Sequence, residues 1–124
     1  MALSRLPISN RSILMNETQQ DTYQEFCDLV NMQPKELEEW LQTEKSKSVG
    51  HTRDGEDESV GHQSGRRIVD IKRTHKDELS SEQLAHMRKV CGYIKRHKAQ
   101  RPSGDIADTD WCYSLKNWGH DPSK

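Results

Sequence analysis

The side chains best suited to chemistry in this sequence are the cations between residues 64 and 101. That segment contains eleven Lys and Arg residues and four Asp and Glu residues, which gives a net charge of +7. Clustered Lys and Arg favour DNA or RNA binding, because phosphate contacts and counterion release supply most of the affinity. A tyrosine among them can stack on a base. The predicted nucleic-acid-binding residues are Arg66, Arg67, Lys72, Arg73, Arg88, Lys89, Tyr93, Lys95, Arg96, Lys98 and Arg101.

The preceding segment carries the opposite charge. Residues 16–62 contain twelve acidic residues and four basic ones, a balance of −8. The alternative to nucleic-acid binding is therefore a protein-interaction domain whose cations pair with an acidic protein surface, in the same chain or in a partner. The two hypotheses differ in whether Lys89 and Arg96 are open or are covered by acidic residues, namely Glu36, Glu38, Glu39 and the DGEDE segment at 54–58.

The histidines have a regular spacing that resembles a metal site. Five of the six lie eleven or thirteen residues apart, at positions 51, 62, 75, 86 and 97. His86 and His97 would share one helix face about 16 Å apart, which is too far for both to bind one ion. We therefore predict solvated histidines, no metal site, and a pH-dependent charge on the basic surface.

The three cysteines, Cys27, Cys91 and Cys112, contain no CxxC pair. Two of them lie on predicted apolar stripes and all three are far apart, so we predict buried thiols in a reducing compartment and no disulfide framework.

Catalytic motifs are missing from the sequence. It has no nucleophile motif, phosphate-binding loop or dinucleotide fingerprint, so we predict a non-catalytic protein without a cofactor. An enzyme would need polar side chains converging in a pocket, for which His120 and Asp121 near Trp118 are the candidates.

The longest predicted helix, at about 80–101, would position most of the cations. Ser80 and Gln83 fit a capping box at its start, and Pro102 and Gly104 end it. Its apolar residues recur at three- and four-residue spacing and form one stripe, which consists of Leu84, Met87, Val90, Cys91 and Ile94.

Shorter helices are predicted around it. Three stretches have apolar residues at helical spacing and begin at a residue that favours a helix N-terminus: 21–31 at Asp21, 34–43 at Pro34 and 64–76 at Ser64. A final short helix follows Asp108 or Thr109, either of which can cap it. Trp111, Leu115 and Trp118 would share one face of that helix.

The stretch 44–65 is predicted to be an acidic, Gly/Ser-rich surface loop, because it lacks any periodicity. The tetrapeptide SVGH occurs in it at 48–51 and again at 59–62. Either this is a chance or local duplication, or the copies form a paired turn. In the paired turn, the glycines provide open backbone and the valines attach the loop to the core.

Together these elements predict an all-α fold, a small single domain of four to five helices around the long central helix. The helical domain would span residues 21–121, between a flexible N-terminal tail at 1–20 and a short tail at 122–124. The core must be small, since only 31% of residues are hydrophobic and the mean hydropathy is −1.07. The residues expected to pack the long helix are Tyr23, Phe26, Trp40, Trp111 and Trp118.

No membrane partner is expected, because no apolar run approaches the roughly 20 residues that span a bilayer. The predicted location is intracellular, either cytoplasmic or nuclear. Residues 1–15 contain Arg5 and Arg11, several serines and no acid, which is also compatible with an organelle-targeting segment.

Two motifs, SVGHxSGR at 59–66 and NWGHDP at 117–122, carry a resemblance together with the segments at 34–50 and 86–102. They resemble a family of small microbial proteins of unknown function, some of which are labelled DNA-binding protein. The resemblance covers about 23–124. It implies that both motifs are structural signatures, favours nucleic-acid binding, and assigns no reaction or catalytic residue. A shorter likeness, P-x-EL-x-x-WL at 34–41, is to helix-extended loop-helix domains that bind DNA.

Overall fold

Helices make up all of the regular structure in residues 15–124, the part of the chain that the computed structural model describes. They are α1 (Glu17–Leu29), α2 (Pro34–Leu41), α3 (Glu44–Lys47), α4 (Val60–Lys72), α5 (Ser81–Lys98) and α6 (Asp110–Asn117), with a 3-10 turn at Lys76–Glu78. The all-α class is confirmed, and these residues form six α-helices where four or five were expected. None of the six is long and apolar enough to cross a membrane. Residues 1–14 of the predicted N-terminal tail lie outside the described residues, and so does nearly all of the targeting-like segment at 1–15.

The long helix α5 begins as its sequence predicts. Ser80 accepts a hydrogen bond from the backbone N–H of Gln83 at 3.0 Å, and Gln83 Oε1 accepts one from the backbone of Ser80 at 2.9 Å. All five residues of its apolar stripe are buried. The helix ends at Lys98 and not at residue 101, and Ala99 is its C-cap.

The core lies between pairs of helices. α1 packs along α5, α2 packs along α4, and α6 contacts α2, α3, α4 and α5. Phe26, Leu37, Ile68 and Leu115 are buried at these contacts, and each contributes about 1.5–3 kcal/mol by leaving water. Two of the aromatic residues expected to pack the core are buried, Phe26 and Trp118. The other three lie half-buried at its edge, namely Tyr23, Trp40 and Trp111.

Helix α4 begins four residues earlier than predicted. Its cap is Ser59, whose Oγ accepts from the backbone N–H of His62 at 3.1 Å. Ser64, the predicted cap, is buried inside the helix, and its Oγ bonds to Nε2 of His86 at 2.9 Å. The helix also ends at Lys72, four residues before the predicted end.

Two glycines explain why the sequence does not predict the true start of α4. Gly61 and Gly65 lower helix propensity locally, but both are needed for close packing. A Cβ at Gly65 would lie 2.7 Å from the carbonyl oxygen of Asn117 and 2.7 Å from Cδ2 of Leu41. The helix therefore tolerates glycine so that α2 and the end of α6 can approach it.

The other boundaries differ by smaller amounts. α1 begins at Glu17, not at Asp21, because Asn16 forms a capping box with Gln19, and it ends two residues before the predicted 31. α2 ends at Leu41, two residues before the predicted 43.

The predicted loop at 44–65 is reduced to residues 48–59 by α3 and by the early start of α4. The two SVGH copies lie side by side, since the backbone N–H of Val60 donates to the carbonyl of His51 at 2.8 Å. Val49 is buried and Gly50 has a φ of +96°. The copies differ in structure, because the first is a turn whereas the second opens α4.

The NWGHDP segment fastens the end of the described chain to the connection between α1 and α2. Asn31 donates from Nδ2 to the carbonyl of Asp121 at 3.1 Å and accepts from its backbone N–H at 2.8 Å. His120 Nδ1 bonds to the carbonyl of Leu29 at 2.6 Å. These contacts give the motif a structural role.

Candidate nucleic-acid interface

Three of the predicted phosphate-binding residues form ion pairs within the chain. The pairs and their N–O distances are Arg66–Glu58 at 2.5 Å, Arg73–Glu38 at 3.1 Å and Lys95–Glu25 at 2.9 Å. The hydrogen bond from Arg66 lowers the pKa of Glu58 to about 2. Exposed pairs contribute only about 0–1 kcal/mol, but the charges of these three cations are compensated in the folded chain.

Lys72 has a structural role. Its Nζ donates to the carbonyl oxygens of Val30 at 3.0 Å and Met32 at 3.3 Å, just beyond the end of α1. Burial lowers the pKa of Lys72, and the half-buried ammonium is directed at backbone. We therefore remove Lys72 from the candidate interface.

The remaining six predicted cations form no ion pair with any residue from 15 to 124: Arg67, Arg88, Lys89, Arg96, Lys98 and Arg101. Arg101 lies over the ring of Trp111, with 5.5 Å between the guanidinium carbon and the centroid. Arg67 is separate, in a shallow depression that it shares with Asp70 and Glu82. Lys98 is exposed in the last turn of α5.

The outer face of α5 carries the exposed cations Arg88, Lys89, Lys95 and Arg96. They form two rows, each with a spacing of seven residues, or about 10.5 Å along the helix. The positions between the rows hold small residues, namely Ala85, Gly92 and Ala99. Nη1 of Arg96 lies 3.0 Å from where a Cβ of Gly92 would stand, so the guanidinium folds back across this helix face.

A cleft of about 370 Å³ adjoins this outer face. Its walls come from the first turn of α4, from Lys89, Tyr93 and Arg96 of α5, and from the end of α6 at Trp118. No Asp or Glu of the described chain lines it. The structure thus brings three of the predicted residues together around one cavity and leaves Arg66, Arg67 and Arg73 elsewhere on α4.

A column of stacked rings runs beside the cleft, and two of its members, Tyr93 and Trp118, line the cavity. Neighbouring ring centroids are 4.1–6.3 Å apart and their planes are within 19° of parallel. The column is locked by two hydrogen bonds between His97 and Trp111, in which each ring bonds to the other's backbone carbonyl at 2.8 and 3.0 Å. In order, the rings belong to His86, Trp118, Tyr93, His97 and Trp111.

The prediction of solvated histidines is wrong for three of the five. His86 is 5% exposed, and burial, with the nearby charges of Arg67 and Lys89, lowers its pKa to about 4. His97 bonds within the ring column, and His62 bonds to Glu58 and to the carbonyl of Leu41. His86 is therefore neutral at physiological pH and adds no charge to the outer face.

Four of the acidic residues that could cover Lys89 and Arg96 have other partners. Their observed partners are Lys124 for Glu36, Arg73 for Glu38, Arg53 and Gln63 for Glu56, and Arg66 and His62 for Glu58. None of these carboxylates lies within ion-pair distance of Lys89 or Arg96.

The other residues considered for chemistry have structural environments. Cys27 is exposed, contrary to the prediction, whereas Cys91 and Cys112 are buried, and burial raises the pKa of Cys91 to about 12. His120 is bonded to Leu29. Across residues 15–124, no group of three or more His, Cys, Asp or Glu side chains could hold a metal ion.

Sequence reasoning did not identify Gly61 or Asn117 as part of this region. Each depends on a partner that is distant in sequence. The available signal was the pair of motifs SVGHxSGR and NWGHDP, which contain Gly61 and Trp118 and meet at the cleft.

The fold and this surface define a small all-α protein with a cation-lined cleft beside its longest described helix. Residues 25–116 match the model of the family described as "Protein of unknown function (DUF3140)", and the chain belongs to that family. No curated protein and no solved structure matches the chain. The match ends at residue 116, so the whole of NWGHDP, at 117–122, lies beyond it.

Proposed function

We propose that this protein binds nucleic acid through the outer face of α5, without base specificity and without catalysis. The observation that carries the proposal is that Arg88, Lys89 and Arg96 are exposed on one helix face and have no carboxylate partner in residues 15–124. Uncompensated cations attract phosphate and release counterions on binding. An intracellular location, in the cytoplasm or nucleus, is proposed with it.

The shape of α5 also supports the proposal. Its 18 residues make a rod roughly 27 Å long. The small residues Ala85 and Ala99 leave the two ends of the strip between the rows low, and the Arg96 guanidinium lies across its middle at Gly92. A phosphate backbone that approaches this face would therefore meet cations on either side and at the centre. Because these contacts reach phosphates and not base edges, the binding would be insensitive to sequence.

The second candidate is binding to an acidic protein surface. The ion pairs of Arg66, Arg73 and Lys95 favour it, because they show that cations of this chain already pair with carboxylates. Under this alternative, Lys89 and Arg96 bind acidic residues on the surface of a partner protein.

The test is binding of the purified protein to fluorescently labelled random duplex DNA and single-stranded RNA, titrated with salt. We expect the slope of log K against log salt to be steep. Lys89→Glu combined with Arg96→Glu removes two phosphate contacts, which should weaken binding by about two orders of magnitude at 0.1 M salt and reduce the slope by about 2.

The matched control is Lys35→Glu combined with Lys47→Glu, which makes the same change in net charge at exposed positions of α2 and α3. It should retain most of the affinity. Equal losses in both double variants would show that only net charge matters and would overturn the assigned face. No binding to either nucleic acid at 20 mM salt, where screening is weak, would favour the protein-binding alternative.

A further inference from the structure

The cleft beside α5 contains a buried hydrogen-bond donor without an acceptor. Trp118 is 5% exposed, and its Nε1–H has no hydrogen bond to any residue in 15–124. The other two indoles are satisfied: Trp40 donates to Asn117 Oδ1 at 2.7 Å and Trp111 donates to the carbonyl of His97 at 2.8 Å. Because a buried tryptophan N–H usually has a partner, the unpaired N–H of Trp118 is a candidate donor to a ligand in the cleft.

A second free donor lies next to it, at the start of the 13-residue helix α4. The N–H of Val60 bonds to His51 and that of His62 bonds to the cap Ser59, but the N–H of Gly61 has no acceptor among the described residues. Trp118 Nε1 lies 2.9 Å from where a Cβ of Gly61 would stand. The two free N–H groups are therefore neighbours in one wall of the cleft.

The electrostatics of the cleft favour an anion. The N-terminus of α4 contributes the positive end of its helix dipole. Lys89 and Arg96 add two cations from α5, and no Asp or Glu of the described chain lines the cavity. Backbone N–H, indole N–H, ammonium and guanidinium thus surround a space in which they have no acceptor of their own.

We propose that this cleft binds the phosphate group of a phosphate ester. A phosphate offers three terminal oxygens and accepts bidentate bonds from arginine, which suits four donors that approach from two helices and a ring edge. The volume, about 370 Å³, falls at the small end of ligand pockets and leaves room for part of the esterified group. The phosphate can belong to a small molecule or to a nucleic-acid backbone, so the inference goes beyond the proposed function.

The experiment follows the three indole N–H signals of the ¹⁵N-labelled protein by NMR, assigned with Trp118→Phe. Inorganic phosphate is titrated at pH 8 and constant ionic strength, with sodium chloride as the reference. We expect a saturable shift of the Trp118 signal, while the signals of Trp40 and Trp111 stay in place because their N–H groups are already bonded.

The variants Lys89→Gln and Arg96→Gln should each raise the Kd for phosphate at least fivefold. The matched control is Lys35→Gln, at an exposed position of α2 outside both the cleft and the α5 face, which should leave the Kd within twofold. A Trp118 signal that does not move, or three signals that move together without saturation, would overturn the proposal.

Two further titrations identify the source of the phosphate. Tighter binding of a nucleoside monophosphate than of a trinucleotide would assign the cleft to a small ester, and the reverse would assign it to a nucleic-acid backbone. Failure here is distinguishable from failure of the proposed function. A phosphate-responsive Trp118 in a protein that does not bind duplex or RNA supports the cleft alone, whereas salt-dependent nucleic-acid binding with an unresponsive Trp118 supports the α5 face alone.

Discussion

The indole of Trp118 lies parallel to the ring of Tyr93, with 4.1 Å between centroids and 13° between planes. This contact joins the end of α6 to the middle of α5 and sets the floor of the cleft. Burial raises the pKa of Tyr93, so its hydroxyl stays protonated at neutral pH. The pair therefore links the stability of the domain to the shape of its candidate site.

Replacing Trp118 with alanine should destabilise the fold strongly. The side chain is almost fully buried and its removal leaves a large cavity, so we expect a loss of about 3–5 kcal/mol in the free energy of unfolding. Trp118→Phe keeps an aromatic ring in the column and should cost about 1–2 kcal/mol. Urea denaturation followed by circular dichroism measures both. A loss under 1 kcal/mol for the alanine variant would contradict the role of the ring column.

Two glycines with nearly the same φ provide a matched pair of substitutions. Gly119 has a φ of +85° and Gly104 a φ of +84°, and alanine at either should cost about 1 kcal/mol for the left-handed backbone. At Gly119 the new Cβ would also lie 2.8 Å from Cγ1 of Val30, whereas nothing lies within 4 Å of one at Gly104. Gly119→Ala should therefore lower the unfolding free energy by at least 1 kcal/mol more than Gly104→Ala, and equal effects would show that the contact with Val30 relaxes freely.

The side chain of Asn117 holds a buried network between α6, α2 and α3. Its Oδ1 accepts from Trp40 Nε1 at 2.7 Å and from Ser46 Oγ at 2.6 Å, and its Nδ2 donates to the carbonyl of Ser46 at 3.0 Å. Asn117→Leu leaves these partners unsatisfied, so we expect a loss of about 2–4 kcal/mol. In a double-mutant cycle with Ser46→Ala, the losses should be less than additive. Strict additivity would indicate that the network does not act as a unit.

Stability should fall as the solution is acidified from pH 6.5 toward pH 4. The pKa of His86 is about 4 in the folded protein and about 6.5 when unfolded. Between these values the unfolded chain binds more protons, so the free energy of unfolding decreases as pH decreases, by about 3 kcal/mol in total. Burial lowers the pKa of His120 as well, which acts in the same direction. The contribution of Glu58, whose pKa is lowered to about 2, is lost only below about pH 4.5.

The measurement is urea denaturation at pH 7.5, 6.0 and 5.0. His86→Gln should flatten the dependence on pH, and the control His75→Gln, at an exposed position, should leave it unchanged. An identical pH dependence in His86→Gln and the natural sequence would refute the assignment to His86.

The sequence predicts those elements whose signals are local. The stripe and capping box of α5 lie within one helix, and Thr109 caps α6 as expected, by accepting from the N–H of Cys112 at 3.1 Å. The start of α4 depends on Gly61 and Gly65, which are explained by packing against residues distant in sequence, namely Leu41, Asn117 and Trp118. Local propensity favours Ser64 as the N-cap of α4, but tertiary packing makes Ser59 the N-cap.

The candidate site shows the same division. A count of charges identifies the basic segment, including Lys89 and Arg96, but it gives equal weight to Arg66 and Arg73. Which cations remain without a partner is decided by where the helices place carboxylates such as Glu58 and Glu38. Likewise, tertiary packing decides whether an indole N–H has an acceptor, and no spacing of residues in the sequence predicts it.

The paired hydrogen bonds between Asn31 and Asp121 also bear on how the chain folds. They join residues 90 positions apart, and closing a loop of that length in an unfolded chain costs roughly 4 kcal/mol of entropy. This entropic cost falls only after the intervening helices have formed and shortened the path between Asn31 and Asp121. We therefore expect this contact to form late on the folding pathway, so weakening it should speed unfolding far more than it slows folding.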